Sequence, residues 1–139
     1  MPNACEIEGY ASLFGFEDLA LDVVFAGAFA RGLEGRGALP MLLDHDPRLI
    51  CGVWRELRED ARGLYVRGAI EPGRRAAAQA KRGLEAGLDG LSIGFTPLSW
   101  RNRPAGGRAL LELHLWEVSL VDTPMLPQAR LTRVELALI

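Results

Sequence analysis

The sequence predicts a mainly β fold, an antiparallel barrel of about six or seven strands flanked by two helices. Three observations lead there. Apolar and polar residues alternate over several stretches of strand length. Turn residues separate those stretches at short intervals, as consecutive hairpins require. Only two segments carry helical spacing, so closing the sheet on itself is the simplest way to hide its edges.

Taken in chain order, CEIEGYASLF (5–14) alternates and is rich in β-favouring residues, which predicts a strand. AGAFARGLEG (26–35) predicts a short helix, with Phe25, Phe29 and Leu33 four apart on one face. LPMLLDH (39–45) predicts a mostly apolar strand that places His45 on the face of Met41 and Leu43. Pro47 drives Asp46 to an extended conformation and ends that strand. CGVWRELRED (51–60) and GLYVRGAIE (63–71) flank a turn and predict a hairpin. RRAAAQAKRGLEA (74–86) is alanine-rich and helical, with Gly87 as its C-terminal cap. LSIGFTPL (91–98) predicts a strand and PAGG (104–107) a turn. RALLELHLWEVSLV (108–121) predicts a long strand, TPMLPQAR (123–130) a loop, and a short strand closes the chain.

A length of 139 residues fits one domain, 1–139. With 49% hydrophobic and 24% charged residues the chain reads as globular rather than disordered. A net charge of −2 gives no electrostatic footprint for nucleic acid or an anionic membrane. There is no apolar run of roughly 18 residues and no leader pattern, so the protein is expected to act where it is made. Cys5 and Cys51 are too few for a disulfide framework and fit a reducing compartment. Cysteine, histidine and the Asp44/Asp46 pair never fall at metal-site spacing, and no phosphate-binding glycine loop is present. No metal and no cofactor are therefore expected.

The chain holds two histidines, His45 and His114, and neutral-pH base chemistry most often uses this residue. His45 sits at a strand end, where it can reach a cleft or simply bond to backbone. Ser92, in GLDGLSIGF, shares its strand face with Gly94 and Thr96. That face of small residues suits either a nucleophile approached by an extended substrate or a serine filling a tight interior. Its context is not the strand-to-helix elbow of α/β-hydrolases. On 108–121, Glu117 lies with Leu111, Leu113, Leu115, Ser119 and Val121, and needs a partner there, a histidine or an arginine. Alternation puts His114 on the opposite face, so only one of Glu117 and His114 can serve the Ser92 side. Ser99 and Ser119 are expected to be bystanders.

IEGYASLFG, DVVFAGAFARGL, LPMLLDHDP, GVWRELREDARGLYVRG, GLDGLSIGF and LWEVSLVDTPMLPQAR, in that order over residues 6 to 133, resemble the prohead (capsid maturation) protease family of tailed phages and gene transfer particles. That family is related to the herpesvirus assemblins. The resemblance implies an assemblin-like antiparallel barrel and serine endopeptidase activity. Position by position it implies Ser92 as nucleophile, His45 as general base and Glu117 as the acid, where the assemblins have a second histidine. It further implies capsid scaffold and major capsid protein as substrates, action inside assembling proheads in the cytoplasm of the bacterial host, and a homodimer or higher homo-oligomer. A different class of function remains beside it, a catalytically silent barrel that binds scaffold during assembly.

Overall fold

The computed structural model describes residues 5–136. Among these the elements are β1 (Cys5–Leu13), β2 (Val23–Val24), α1 (Ala30–Leu33), β3 (Leu39–Leu43), β4 (Asp46–Glu59), β5 (Gly63–Ile70), α2 (Ala77–Glu85), β6 (Gly90–Asn102), β7 (Arg108–Val121) and β8 (Leu131–Glu135). The strands form one mainly antiparallel sheet in the order β2-β7-β3-β4-β5-β1-β8, with β6 paired to β7. Two pairings are parallel. β2 meets the start of β7 at Ala109 and Leu110, and β3 meets its end at Val118 to Leu120.

The sheet does not close into the expected barrel. Its ends approach through the Leu91 N–H on the Ala129 carbonyl (2.9 Å) and the Leu131 N–H on the Asp89 carbonyl (2.8 Å). Pro124 and Pro127 lie in the segment that would have to pair with β6, and proline has no N–H for a ladder. The strand count is also one or two higher than expected. The two-residue β2 is too short to show as alternation.

The helix expected over 26–35 shrinks to one turn. Gly27 sits at φ 94°, outside the helical region, so no helical turn starts before it, and Glu59 accepts the backbone N–H groups of Gly27 and Phe29 ahead of the single turn. Phe29 and Phe25 therefore part company, the first buried and the second exposed. The second helix forms as expected. Ala77, Ala80 and Leu84 make its buried stripe. Gly87 ends it at φ 99°, where the Leu88 N–H reaches back to the Gly83 carbonyl at 2.8 Å.

Fully buried side chains include Trp54, Phe29, Ile7, Met41, Leu91, Leu113 and Val118. Each contributes about 1.5–3 kcal/mol of apolar burial. Trp54 also donates its indole N–H to the Val118 carbonyl at 3.0 Å, tying β4 to β7. Cys51 is wholly buried, its thiol bonded to the Met41 carbonyl, and burial pushes its pKa up to about 12. Cys5 is 2% exposed, and burial likewise raises its pKa.

Candidate active site

β3 and β4 are joined by the shortest hairpin connection. Leu43 pairs with Asp46, and only Asp44 and His45 lie between. Both have positive φ, 52° and 59°. Two-residue loops of this twist require left-handed backbone at both positions, and aspartate and histidine tolerate it better than most residues. The strand thus ends at Leu43 rather than at His45. Pro47, expected to end it, lies inside β4. What positions His45 is the turn rather than strand alternation.

From that turn the imidazole meets β7. His45 Nδ1 lies 2.5 Å from Glu117 Oε2. An ionised carboxylate only accepts, so Nδ1 carries the proton and Nε2 keeps a free lone pair. The hydrogen bond to Glu117 raises the His45 pKa above the ordinary imidazole value. Partial burial opposes this, and the charges of Glu117 and Asp44 reinforce it.

The folded value exceeds the unfolded one. The pair therefore stabilises the fold fully below about pH 6.5, and that contribution fades as pH rises through the folded value. Glu117→Gln is expected to lower the melting temperature more at about pH 5.5 than at about pH 8.5, and to bring the NMR titration of His45 down. Equal destabilisation at both pH values, with an unmoved titration, would count against the pair.

Glu117 has a second partner that the sequence did not reveal. The Ser119 hydroxyl donates to its other oxygen at 2.9 Å and accepts the His45 backbone N–H at 2.9 Å. Ser119, expected to be a bystander, instead bridges Glu117 and the His45 backbone. The available signal was its place two residues from Glu117 on the same face, a small polar group among leucines.

Ser92 stands on β6 directly across from Ser119. It is 7% exposed and lines, with His45, a cavity of about 230 Å³. Among the described residues its hydroxyl makes no hydrogen bond, to His45 or to any other group. His45 and Glu117 are thus in contact, and Ser92 shares a cavity wall with His45. Catalytic hydrogen bonds are often loose in an empty site. Apolar side chains dominate that cavity, among them Phe16, Ile93, Phe95, Leu110, Met125 and Leu126. Asp22, which is buried and held by two hydrogen bonds from the Arg108 side chain, also lines it.

The small-residue face around Ser92 has a use not anticipated. A Cβ at Gly94 would collide with the Glu117 carboxylate, lying 2.8 Å from its Cδ. The missing side chain makes room for the acid, where the sequence suggested room for a substrate. His114 is elsewhere. It pairs with Thr96, and its ring packs edge-on against Trp116, with centroids 4.2 Å apart. A register shift between Glu117 and Leu115 leaves Trp116 unpaired, a bulge separating the two candidate acid positions. Among the described residues no group of three His, Cys, Asp or Glu side chains gathers as metal ligands would.

A family model described as caudovirus prohead serine protease matches residues 2–137. The prohead protease of Enterobacteria phage HK97 is 39% identical over 92 residues, which cover 64% of this chain and 41% of that protein. The chain thus spans about two fifths of the length of that curated relative. Among solved structures, the capsid assembly protease of bacteriophage T4 superposes with a TM-score of 0.68 at 16% identity, over 84% of this chain and 80% of that one. A Kaposi's sarcoma herpesvirus protease, bound to an allosteric inhibitor, gives 0.55 at 14% identity, over 91% and 75%. At these identities the likeness is one of fold, and it bears out the assemblin-like architecture.

Proposed function

The chain belongs to the caudovirus prohead serine protease family, and on that premise we propose that it is a serine endopeptidase of capsid maturation, with Ser92 as nucleophile, His45 as base and Glu117 as the acid behind it. The observation that carries the reading is the His45–Glu117 hydrogen bond at 2.5 Å, on a cavity shared with Ser92.

A serine hydroxyl is a weak nucleophile until a base removes its proton. In this reading the free Nε2 of His45 takes that proton as Ser92 Oγ attacks a peptide carbonyl, then returns it to the leaving amine. Glu117 fixes the tautomer and stabilises the imidazolium formed on the way. Water repeats the sequence on the acyl-enzyme and frees Ser92. The apolar cavity suits an apolar substrate side chain beside the cut bond.

The substrates in this reading are capsid scaffold protein or the scaffold segment of the major capsid protein, cut inside the prohead in the host cytoplasm. The T4 neighbour is a capsid assembly protease, which supports that assignment. Confinement in a shell raises local concentration and lessens the demand on intrinsic rate. A homodimer is also proposed. A herpesvirus neighbour with a TM-score of 0.51 is described in complex with a dimer disruptor.

A fluorophosphonate probe tests the chemistry, since the attacking serine oxygen displaces fluoride and keeps the phosphonyl group. The adduct is expected on Ser92, absent in His45→Ala, and unaffected by a strong chelator. Incubation with the cognate capsid proteins should yield discrete fragments by mass spectrometry. An unlabelled Ser92 together with uncut capsid proteins would reject the protease and favour a silent assembly module.

A further inference from the structure

We propose that Ser119 is a positioning residue of this site, its hydroxyl holding the backbone of His45 and the carboxylate of Glu117 in one arrangement. The inference rests on the catalytic reading above for its effect on rate, though not for its geometry.

Ser119 is fully buried. Its oxygen accepts the His45 N–H and its proton goes to Glu117 Oε1, while Glu117 Oε2 receives His45 Nδ1. The three hydrogen bonds close a ring that leaves the backbone of His45 and returns through its side chain. A hydroxyl has one proton to give and lone pairs to accept, so both bonds are made at once.

The reason a side chain is needed is topological. β3 runs parallel to β7, with Leu42 opposite Ser119 and Leu43 opposite Leu120. The Asp44 N–H still reaches the Leu120 carbonyl, at 3.1 Å. At His45 the chain has entered its left-handed turn and left the ladder, and the Ser119 hydroxyl takes over where a backbone carbonyl no longer can. The second bond pins one carboxylate oxygen, so the other is turned to the imidazole. A glutamate held by one bond alone keeps rotational freedom about its terminal torsion, and that freedom dilutes the productive pairing. A serine that only satisfied a buried N–H would have no need to touch the acid.

Charged groups around the imidazole come from several elements. Glu117 on β7 and Asp44 in the same turn act on it directly. Asp46 on β4 is engaged by Arg48. Asp18, Asp22 and Arg108 line the same cavity, and β6 contributes the uncharged Ser92.

The test is an NMR titration of the two imidazoles in the parent and in Ser119→Ala, beside the pH profile of cleavage. In Ser119→Ala the carboxylate is free to rotate, so His45 is expected to titrate closer to the ordinary imidazole value, and the acidic limb of kcat/KM should move to lower pH. The rate constant kcat should fall about 10- to 100-fold with KM little changed. Ser119→Thr, which keeps the hydroxyl, should restore both titration and profile. A His45 titration and an acidic limb that superpose on the parent's would overturn the proposal, whatever happens to stability. The two readings fail separately. A shifted titration in a protein that cuts nothing upholds the positioning and removes the protease. Cleavage with an unmoved titration does the reverse.

Discussion

Replacing Ser92 by alanine is expected to reduce peptide hydrolysis by about 10⁴-fold or more while leaving the fold in place. The size follows from what is lost. Without the hydroxyl no acyl-enzyme forms, and only binding and oxyanion stabilisation remain to assist water. The fold should survive because the hydroxyl has no partner among the described residues, so its removal orphans nothing. Ser92 is nearly buried, and a smaller side chain there adds only to a cavity already open. The unfolding free energy should stay within the scatter of surface substitutions, about 0.5 kcal/mol. His45 should still titrate high, because Glu117 is untouched. Retained cleavage by purified Ser92→Ala would remove this serine from the mechanism.

The second large effect is expected at a residue that takes no part in the chemistry. Gly94→Ala places a methyl group where the Glu117 carboxylate lies. Gly94 and Glu117 are directly paired across β6 and β7, next to a register shift, so the strands cannot part without disturbing the bulge. The acid is the more mobile partner and should be displaced from His45. Activity is then expected to fall about 10²- to 10⁴-fold, approaching the loss of a triad acid. Overpacking should destabilise by about 1–3 kcal/mol. His45 should titrate lower, as in Glu117→Gln. Gly37→Ala is the control, since no atom lies within 4 Å of its added Cβ. Parent-like rates and an unmoved His45 titration in Gly94→Ala would show that the acid finds room after all.

Strands were legible where one face is buried and the other wet. β1 alternates buried and half-exposed residues over most of its length, and the hairpin of β4 and β5 announced itself through Asp60 and Gly63. The 26–35 helix misled because its apolar spacing is sound while Gly27 takes a left-handed backbone, φ 94°, that no apolar spacing reveals, and the N–H groups of Gly27 and Phe29 go to Glu59, 32 and 30 positions further along the chain. His45 was identified for the wrong local reason. A face rule presumes strand, and Asp44 and His45 form a left-handed turn that no period of two describes. Glu117 was found because a lone acid among leucines demands a partner. Ser119 meets the same criterion more quietly, as hydroxyls among apolar residues seldom attract notice. Gly94 was noticed but given the wrong occupant, since which side chain fills a gap depends on the register between two strands.

The two thiols give the molecule a built-in stopwatch. Cys5 and Cys51 are the only cysteines in the chain, and both are shut inside the sheet. Alkylation needs a thiolate, and at a pKa of about 12 Cys51 offers almost none at neutral pH while the strands stay together. Each alkylation event at Cys51 therefore records a moment when β3 and β4 have come apart. The rate of maleimide capture measures how often the strands flanking His45 separate, without any substrate and in variants that have lost all activity.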